Sequence, residues 1–232
     1  MKWLQSVAVI SDVHANIEAL EAALRRVDGM EVYCLGDLVD CGASPNEVVE
    51  MIRDGGIKSI VGNHDVAALT GDVSMLNAKA AMSSRWTAGR LTEESTAYLR
   101  GLPQELRVRL EGVDVYFAHG SPDDRLWEYV DPRTHSDLFG HYLGRLKAQV
   151  IGLGHTHIPY VWREGGRLVF NPGSVGQPRD GDWRASFAVL SVDGGEAAAE
   201  VQRVEYDFEK AASKIRAAGL PESFADRLTA GS

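Results

Sequence analysis

The sequence predicts an α/β fold, specifically a four-layer α/β/β/α sandwich of two mixed β-sheets that pack face to face with helices outside. The first part of the chain alternates short apolar runs with amphipathic segments, a β-α-β-α-β order that favours parallel strands joined by right-handed crossovers. The last third has short apolar runs separated by Gly-rich turns, which is typical of hairpins. With 232 residues, the chain can bury a large core, and one domain over residues 1–232 is the simplest organisation.

The first strand and helix are predicted from residues 1–29. Residues 1–5 lead directly into a buried strand at 7–10, which is short and rich in β-branched residues. A helix follows, because apolar residues recur at the spacing of one helical face, at Ile17, Leu20, Leu24 and Val27. Asn16 is predicted to cap the N-terminus of this helix, and Gly29 is predicted to end it.

The second and third strands are predicted at 32–35 and 57–61. Between them, the stretch Ser44-Pro45-Asn46-Glu47 resembles a capping box with Pro45 at the first helical position. The helix that it opens is predicted to run to about Arg53 and to end at Gly55-Gly56.

The rest of the chain is predicted as a helical segment followed by a region rich in strands. Residues at about 65–104 are mostly helical in pattern, and we interpret this segment as a cap over or beside a site. Strands are expected at 108–110, 113–117, 150–152, 158–163, 167–170, 186–191 and 197–204. Helices are expected at 136–147 and 208–218, and the polar tail after Gly219 is expected to fray.

Composition and charge exclude some classes of function. The net charge of −9 argues against a stable nucleic-acid complex, because binding the phosphate backbone needs a basic surface. Two cysteines, Cys34 and Cys41, are too few for a disulfide framework. No apolar segment approaches the length of a membrane span. We therefore expect a cytoplasmic protein without a membrane partner, and the sequence carries no signal for an oligomeric state.

Five apolar runs are each followed by residues of the kind that bind metal ions. The stretches that follow them are Asp12-Val13-His14, Gly36-Asp37, Gly62-Asn63-His64-Asp65, His119 and Gly154-His155-Thr156-His157. Ligands at the carboxyl ends of several strands converge on one edge of a sheet, where α/β enzymes form their sites. A single Asp or His after a strand is more often a cap, so the prediction depends on the whole set. We interpret Asp37 as a carboxylate shared between two metal ions.

The order of these motifs resembles the calcineurin-like metallophosphoesterase superfamily. Asp-x-His, Gly-Asp, Gly-Asn-His-Asp, a lone His and Gly-His-x-His follow one another between residues 11 and 157. Within that superfamily, the chain looks like the small prokaryotic phosphodiesterase/phosphatase branch. The stretch Asn-Pro-Gly-Ser-Val-Gly-Gln-Pro-Arg at 171–179 also resembles that branch. The resemblance implies a single metallophosphoesterase domain.

The resemblance also implies two divalent transition-metal ions. Mn, Fe, Ni and Zn suit the oxygen and nitrogen donors of the motifs. The first metal would be held by Asp12, His14, Asp37 and His157. The second metal would be held by Asp37, Asn63, His119 and His155. A hydroxide bound to this dinuclear centre would attack the phosphorus atom in line.

Further roles are implied for residues that are not metal ligands. His64 would face the leaving group as a general acid or transition-state stabiliser. Asp65 would orient His64 from behind, as a partner of the catalytic side chain. Arg179 is a candidate for binding the substrate phosphate, and a surface ion pair is an equal alternative. Asp40 is interpreted as a turn residue or as a residue behind the ligands.

The implied function is hydrolysis of phosphodiester or phosphomonoester bonds in a small phosphorylated substrate. The alternatives are a dinucleoside-polyphosphate hydrolase, a protein phosphatase, or a non-catalytic scaffold with the same fold, such as the retromer subunit of this superfamily. Because the chain retains every ligand and His64, the enzyme is favoured over the scaffold. Trp127 and Tyr129 are interpreted as packing residues, with a base-binding pocket as the alternative.

Overall fold

Two five-stranded sheets lie at the centre of the computed structural model, which describes residues 5–232. The strands are β1 Gln5–Ile10, β2 Glu31–Cys34, β3 Lys58–Ser59, β4 Glu105–Leu110, β5 Val113–Ala118, β6 Val150–Leu153, β7 Tyr160–Glu164, β8 Arg167–Asn171, β9 Ala185–Asp193 and β10 Glu196–Val204. The helices are α1 Ile17–Arg26, α2 Pro45–Asp54, α3 Asn63–Thr70, α4 Ala78–Ala88, α5 Glu93–Arg100, α6 Pro132–Leu146, α7 Phe208–Ala217 and α8 Glu222–Ala230. The predicted lead of residues 1–4 into the first strand lies outside the described residues. Within residues 5–232, no helix has both the length and the apolar composition that crossing a membrane requires.

Both sheets are mixed, as predicted. The first sheet has the strand order β10-β9-β1-β2-β3, and the second has the order β4-β5-β6-β8-β7. In the first sheet, β1, β2 and β3 are parallel, whereas β9 is antiparallel to both β1 and β10. In the second sheet, β5, β6 and β8 are parallel, and β4 and β7 are antiparallel edge strands. The carboxyl ends of the central strands in each sheet therefore share one direction.

The side chains of β1 show how the layers are separated. Because successive residues of a strand point to opposite faces, Val7 and Val9 pack in the core between the two sheets. Ala8 and Ile10 pack in the core that the first sheet shares with α1, α2, α7 and α8. Phe117 of the second sheet joins the core between the sheets, and α6 covers the opposite face of that sheet. The order of layers is helix, sheet, sheet, helix, which confirms the predicted sandwich.

Two predicted helix starts have different outcomes. Asn16 caps α1 as predicted, because its Oδ1 accepts a hydrogen bond from Ala19 N at 3.1 Å. Pro45 begins α2, but the Ser44 side chain makes no capping hydrogen bond to that helix. Ser44 Oγ instead lies 3.4 Å from Lys214 Nζ of α7. The predicted capping box is therefore wrong, since a contact with a distant helix replaces the local one.

The C-terminal tail is a helix, so the prediction that it frays is wrong. α8 buries Phe224, Ala225 and Leu228, which join the core of the first sheet. Gly231 ends the helix at a left-handed φ of 64°, and its amide donates to Arg227 O at 2.9 Å. Short helices obtain most of their stability from packing rather than from local propensity. The nine residues of α8 therefore owe their helical structure mainly to this packing.

We expect Leu228→Ala to lower the free energy of unfolding by about 2–5 kcal/mol, because it leaves a cavity under α8. Leu228 is 2% exposed. Urea unfolding measures the loss as a lower midpoint with an unchanged slope. Thr229→Ala is the matched control, because Thr229 is the exposed neighbour, and its effect should stay within about 0.5 kcal/mol. A loss below about 1 kcal/mol in Leu228→Ala would contradict the docking of α8 on the core.

Candidate metal centre

Residues suited to binding metal ions meet where the two sheets adjoin. β1, β2 and β3 of the first sheet, and β5 and β6 of the second, end within a few residues of Asp12, Asp37, Asn63, His119 and His155. Backbone hydrogen bonds join the loops, from Asp12 N to Gly36 O at 3.0 Å and from Gly154 N to His119 O at 2.9 Å. The sequence predicted one edge of one sheet. The structure instead builds the cluster from the carboxyl ends of strands in both sheets.

The backbone of these loops has an unusual conformation. Left-handed φ angles between 49° and 68° occur at five candidate ligands, namely Asp12, His14, Asp37, His155 and His157. Residues with a Cβ atom rarely adopt this region, and such residues cluster at functional sites. The loops also approach one another closely, since a Cβ atom added to Gly36 would lie 2.6 Å from Gly62 N. Only glycine fits at that position.

One group of candidate ligands surrounds Asp12 and His14. His14 Nε2 lies 3.1 Å from His157 Nε2 and 3.7 Å from Asp37 Oδ2. His157 Nε2 lies 3.3 Å from Asp12 Oδ1. One donor atom from each of Asp12, His14 and His157 lies within 4.8 Å of the others, and all three residues are buried. The four residues predicted for the first metal are therefore brought together.

A second group lies on the other side of Asp37. His119 Nε2 is 3.2 Å from Asp37 Oδ2 and 3.0 Å from Asn63 Oδ1. Donor atoms of Asp37, His119 and His155 lie within 4.8 Å of one another. Because Asp37 Oδ2 approaches both His14 and His119, Asp37 lies between the two groups, where a bridging carboxylate belongs. The structure thus also brings together the second predicted set, and the ligand roles of both sets stay predictions.

Backbone carbonyls determine which ring nitrogen carries the proton. The Nδ1 atoms of three imidazoles lie 2.6–3.2 Å from carbonyl oxygens: His14 from Val39, His119 from Leu35, and His157 from Gln177. A carbonyl oxygen only accepts, so Nδ1 donates in each ring and Nε2 is directed at the cluster. In His155 the two nitrogens exchange roles, because Nε2 donates to Trp127 O at 3.2 Å. Each imidazole therefore presents a defined nitrogen to the cluster.

The loop after β8 holds the ligand loops in position. Ser174 Oγ donates to Asp12 O at 2.7 Å, and Gly176 N donates to the same oxygen at 3.0 Å. Asn171 Nδ2 donates to Gly154 O at 2.7 Å. The sequence motif at 171–179 was matched only by resemblance. The structure shows that it supports the first and last ligand motifs through their backbones.

Burial has the largest influence on the pKa values of the cluster. It raises the pKa of Asp12 to about 6, and it lowers the pKa of both His14 and His155 to about 3. Burial also raises the pKa of Asp37, but the charges of His119, His64 and His14 together outweigh it and hold this pKa well below its usual range. Burial lowers the pKa of His119, yet the carboxylates of Asp37 and Asp12 together outweigh it and raise this pKa to about 9. Neutral imidazoles and an ionised carboxylate are the forms that bind metals, so a cation would displace a proton from His119.

Two carboxylate oxygens of the cluster, Asp12 Oδ1 and Asp37 Oδ2, are buried without a hydrogen-bond partner among residues 5–232. Their companion oxygens are satisfied, because Asp12 Oδ2 accepts from His155 N at 3.1 Å and Asp37 Oδ1 accepts from His64 N at 2.9 Å. His119 Nε2 approaches Asp37 Oδ2, but not along a hydrogen-bond direction. An unsatisfied buried acceptor costs about 1–3 kcal/mol. These oxygens and the imidazoles around them fit divalent transition metals.

His64 lies beside the cluster and is paired with Asp40. Its Nδ1 lies 3.0 Å from Asp40 Oδ2, and this carboxylate is fully buried. A carboxylate oxygen accepts, so Nδ1 donates and Nε2 remains for the cleft that His64 lines. Burial lowers the pKa of His64, but the charges of Asp37 and Asp40 outweigh it and raise the pKa above its ordinary value. The protonated form that a general acid needs is therefore favoured.

Asp65 does not orient His64, so that prediction is wrong. Its carboxylate accepts hydrogen bonds at 2.8–3.0 Å from three backbone amides, those of Leu38, Val39 and Gly62. These bonds tie the loop after β2 to the start of α3. The partner of the imidazole is Asp40, which the sequence indicated only as a turn residue or a residue behind the ligands. Its position three residues after Asp37, on the same loop, was the available signal.

A cleft of about 320 Å³ opens beside the cluster. Trp127 and Tyr129 line it, and the Tyr129 ring stacks on His155 with 4.0 Å between ring centroids and 15° between planes. Tyr129 is 55% exposed. Both aromatic residues therefore line the site rather than pack in the core, which corrects their interpretation as packing residues. One wall comes from the segment predicted as a cap, through Met75, Leu76, Asn77 and Ala80.

Sequence reasoning missed two residues of the cleft, Phe224 and Arg227, which α8 supplies. The tail was expected to fray, so no role was predicted for its side chains. The available signal was the i, i+4 spacing of Phe224 and Leu228, which places both on one helical face. Arg179, predicted as a phosphate-binding candidate, also lines the cleft.

The chain is similar to a known family and to a protein of an archaeon. The family model of the calcineurin-like phosphoesterase superfamily domain matches residues 6–195. An uncharacterized protein of Methanocaldococcus jannaschii is 38% identical over 245 residues, which cover 97% of this chain and 98% of that protein. The similarity therefore extends over nearly the whole of both chains.

Solved structures show the same relationship. A metallophosphoesterase from Sphaerobacter thermophilus is 36% identical, with a TM-score of 0.83, and the match covers 99% of this chain and 100% of that one. A hypothetical protein from Pyrococcus horikoshii OT3 is 24% identical and shares the fold, with a TM-score of 0.88 over 98% of each chain. The resemblance seen in the five sequence motifs is confirmed, and the chain belongs to the calcineurin-like phosphoesterase superfamily.

Proposed function

We propose that this protein is a phosphoesterase that uses two divalent transition-metal ions, bridged by Asp37, to hydrolyse phosphomonoester or phosphodiester bonds. The observation that carries the proposal is the pair of buried oxygens, Asp12 Oδ1 and Asp37 Oδ2, that lack hydrogen bonds within the described residues. Imidazole nitrogens lie 3.2–3.7 Å from these oxygens. Such an arrangement is costly unless cations occupy it. Membership of a phosphoesterase superfamily supports the same class of reaction.

Two sets of side chains that share Asp37 would hold the metals. One set is Asp12, His14 and His157, and the other is Asn63, His119 and His155. When bound, such ions polarise a phosphoryl oxygen and lower the pKa of water, which supplies a nucleophile at neutral pH. Oxygen and nitrogen donors suit Mn, Fe, Ni or Zn.

The remaining steps belong to side chains of the cleft. His64 would donate a proton from Nε2 to the leaving-group oxygen, because its Nδ1 is occupied by Asp40. Asp40 would hold the ring in one orientation and favour its protonated form. Trp127 and Tyr129 would offer an aromatic surface to the rest of a small phosphorylated substrate.

A screen of metals and substrates tests the proposal. The protein is stripped with a chelator, reloaded separately with Mn²⁺, Ni²⁺, Co²⁺, Mg²⁺ or Zn²⁺, and assayed with p-nitrophenyl phosphate, bis-p-nitrophenyl phosphate and nucleotides. We expect turnover to disappear on stripping and to return with a transition metal, together with about two bound ions per chain. Turnover that survives complete stripping would contradict the proposal. Full metal loading without turnover of any ester would support the non-catalytic scaffold instead.

A further inference from the structure

Two arginines line the cleft without an acidic partner. Arg179 comes from the loop between β8 and β9, and Arg227 comes from α8, and both border the space that His64 lines. In the described part of the chain, neither guanidinium forms an ion pair with a carboxylate. Arg179 Nε is buried with no hydrogen-bond partner there, and its Nη2 makes only a long hydrogen bond of 3.3 Å to Gln177 Oε1. A buried donor of this kind indicates a missing acceptor.

The acidic residues that follow Arg179 are already paired with other cations. Asp180 forms an ion pair with Arg203. Asp182 forms an ion pair with Arg184, in which Arg184 Nη2 donates a hydrogen bond to Asp182 Oδ2 at 2.6 Å. The loop therefore carries enough negative charge to neutralise Arg179, but its two carboxylates pair with Arg203 and Arg184 instead.

The same arrangement occurs on α8. Glu222 and Asp226 both pair with Arg216 of α7, at 2.6 and 3.4 Å. Arg227 contacts the ring of Phe224 instead, with its Cζ atom 5.8 Å from the ring centroid. The positive charge of Arg227 therefore interacts with an aromatic face and is not neutralised by a carboxylate of residues 5–232, so it can attract an anion in the cleft.

The two arginines are carried by parts of the fold that are bonded to each other. Arg179 N donates to His157 O at 3.3 Å, which joins the loop to a candidate ligand. Two residues further along, Gly181 N donates to Gly231 O at the end of α8 at 2.8 Å. Because α8 is also packed on the core, the backbones that carry Arg179 and Arg227 are held in a fixed relation to each other. Such preorganisation reduces the entropic cost of binding an anion.

The charge of this part of the cleft selects among phosphate esters. A terminal phosphoryl group carries about −1.5 to −2 charge at pH 7 and has three nonbridging oxygens. A phosphodiester carries a single negative charge and has one nonbridging oxygen fewer. Two guanidinium groups that border one cleft are matched best by the more highly charged phosphoryl group.

We infer that Arg179 and Arg227 form an anion subsite for a terminal phosphoryl group, so that the preferred substrate is a phosphomonoester or a terminal phosphoanhydride rather than a phosphodiester. Guanidinium groups bind phosphate oxygens with paired N–H donors, which a single ammonium cannot reproduce. The subsite rests on the proposed phosphoesterase function and narrows its substrate class.

The test compares Arg179→Gln and Arg227→Gln with the unmodified, Mn²⁺-loaded protein. We expect each variant to lower kcat/KM for p-nitrophenyl phosphate by about 10- to 100-fold, the range of hydrogen bonds to charged groups. The same variants should change kcat/KM for bis-p-nitrophenyl phosphate by less than about threefold. ADP is assayed as a substrate with a terminal phosphoanhydride. Whichever of ADP and p-nitrophenyl phosphate has the higher kcat/KM shows whether the preferred substrate is an anhydride or a monoester.

Two further variants control for charge and geometry. Arg100→Gln removes the same charge from the exposed end of α5, and it should leave both esters unaffected. Arg227→Lys keeps the charge but loses the paired donors, so its loss should fall between those of the unmodified protein and Arg227→Gln. An equal loss in Arg100→Gln would show a general effect of net charge and overturn the subsite.

Calorimetric titration with inorganic phosphate separates this inference from the proposed function. We expect the dissociation constant for phosphate to rise about tenfold or more in each glutamine variant. If the unmodified protein hydrolysed no ester but the two glutamine variants still bound phosphate about tenfold more weakly than it does, the subsite would stand and the proposed function would fail. Unchanged phosphate affinity, or equal losses of kcat/KM for the monoester and the diester, would overturn the inference.

Discussion

Asp37→Asn is expected to lower metal content and to reduce turnover by at least about 100-fold. Mutating a residue that only hydrogen-bonds to a metal ligand already costs about 10–100-fold in metal affinity or activity. Asp37 Oδ2 lies 3.7 Å from His14 Nε2 and 3.2 Å from His119 Nε2, so one oxygen serves both ligand groups. An amide at this position would leave two cations with one negative charge fewer between them. Mass-spectrometric metal analysis and turnover, measured on the same preparation, check both parts.

Asp54→Asn is the charge-matched control for this prediction. Asp54 lies at the exposed end of α2, away from the cluster, so metal content and turnover should not change. Circular dichroism of both variants shows whether the fold is retained. Two bound metals with unchanged turnover in Asp37→Asn would be incompatible with a bridging role.

His64→Ala is expected to lower kcat by about 10²–10⁴-fold, the usual contribution of a general acid. This loss corresponds to about 2.7–5.4 kcal/mol of activation free energy. KM should change much less, and both metals should remain, because His64 Nδ1 is hydrogen-bonded to Asp40 and His64 belongs to neither of the two predicted ligand sets. Steady-state kinetics and metal analysis of the purified variant test these expectations together.

The leaving group separates an acid from a residue that only shapes the cleft. A p-nitrophenolate ion needs little protonation, so the loss in His64→Ala should be smaller for p-nitrophenyl esters than for alkyl esters. His141→Ala is the matched control, because His141 lies on the exposed side of α6. One metal ion missing from His64→Ala would make His64 a ligand, and unaffected turnover of an alkyl ester would refute the acid role.

Asp40→Asn gives an independent view of the same pair. Asp40 raises the pKa of His64 and fixes its ring, so this variant should share the leaving-group dependence of His64→Ala at a smaller loss, about 10–100-fold. Asp65→Asn should instead affect stability, because among residues 5–232 the Asp65 carboxylate accepts hydrogen bonds only from backbone amides. If Asp65→Asn alone showed the leaving-group dependence, the partner of His64 would be misidentified.

Several features of the fold follow from local patterns of the sequence. The strands and α1 were predictable, because alternation with period 2 and apolar spacing near 3.6 reflect side-chain directions that each element dictates by itself. Asn16 caps α1 for a similarly local reason. Ser44 does not cap α2, because its hydroxyl contacts Lys214, which lies 170 residues away in the sequence. α8 escaped prediction because its stability comes from contacts with the rest of the core.

The motifs by themselves predicted that these residues meet, because each motif follows a strand and parallel strands bring their carboxyl ends together. The resemblance to the superfamily supplied their division into two ligand groups. Only the tertiary structure decided the partners of those residues. Asp40 rather than Asp65 meets His64, and α8 brings Arg227 to the cleft beside Arg179. The physical reason is that a hydrogen bond or an ion pair acts over a few ångströms. Such contacts depend on where distant segments are placed, and no local pattern encodes that placement.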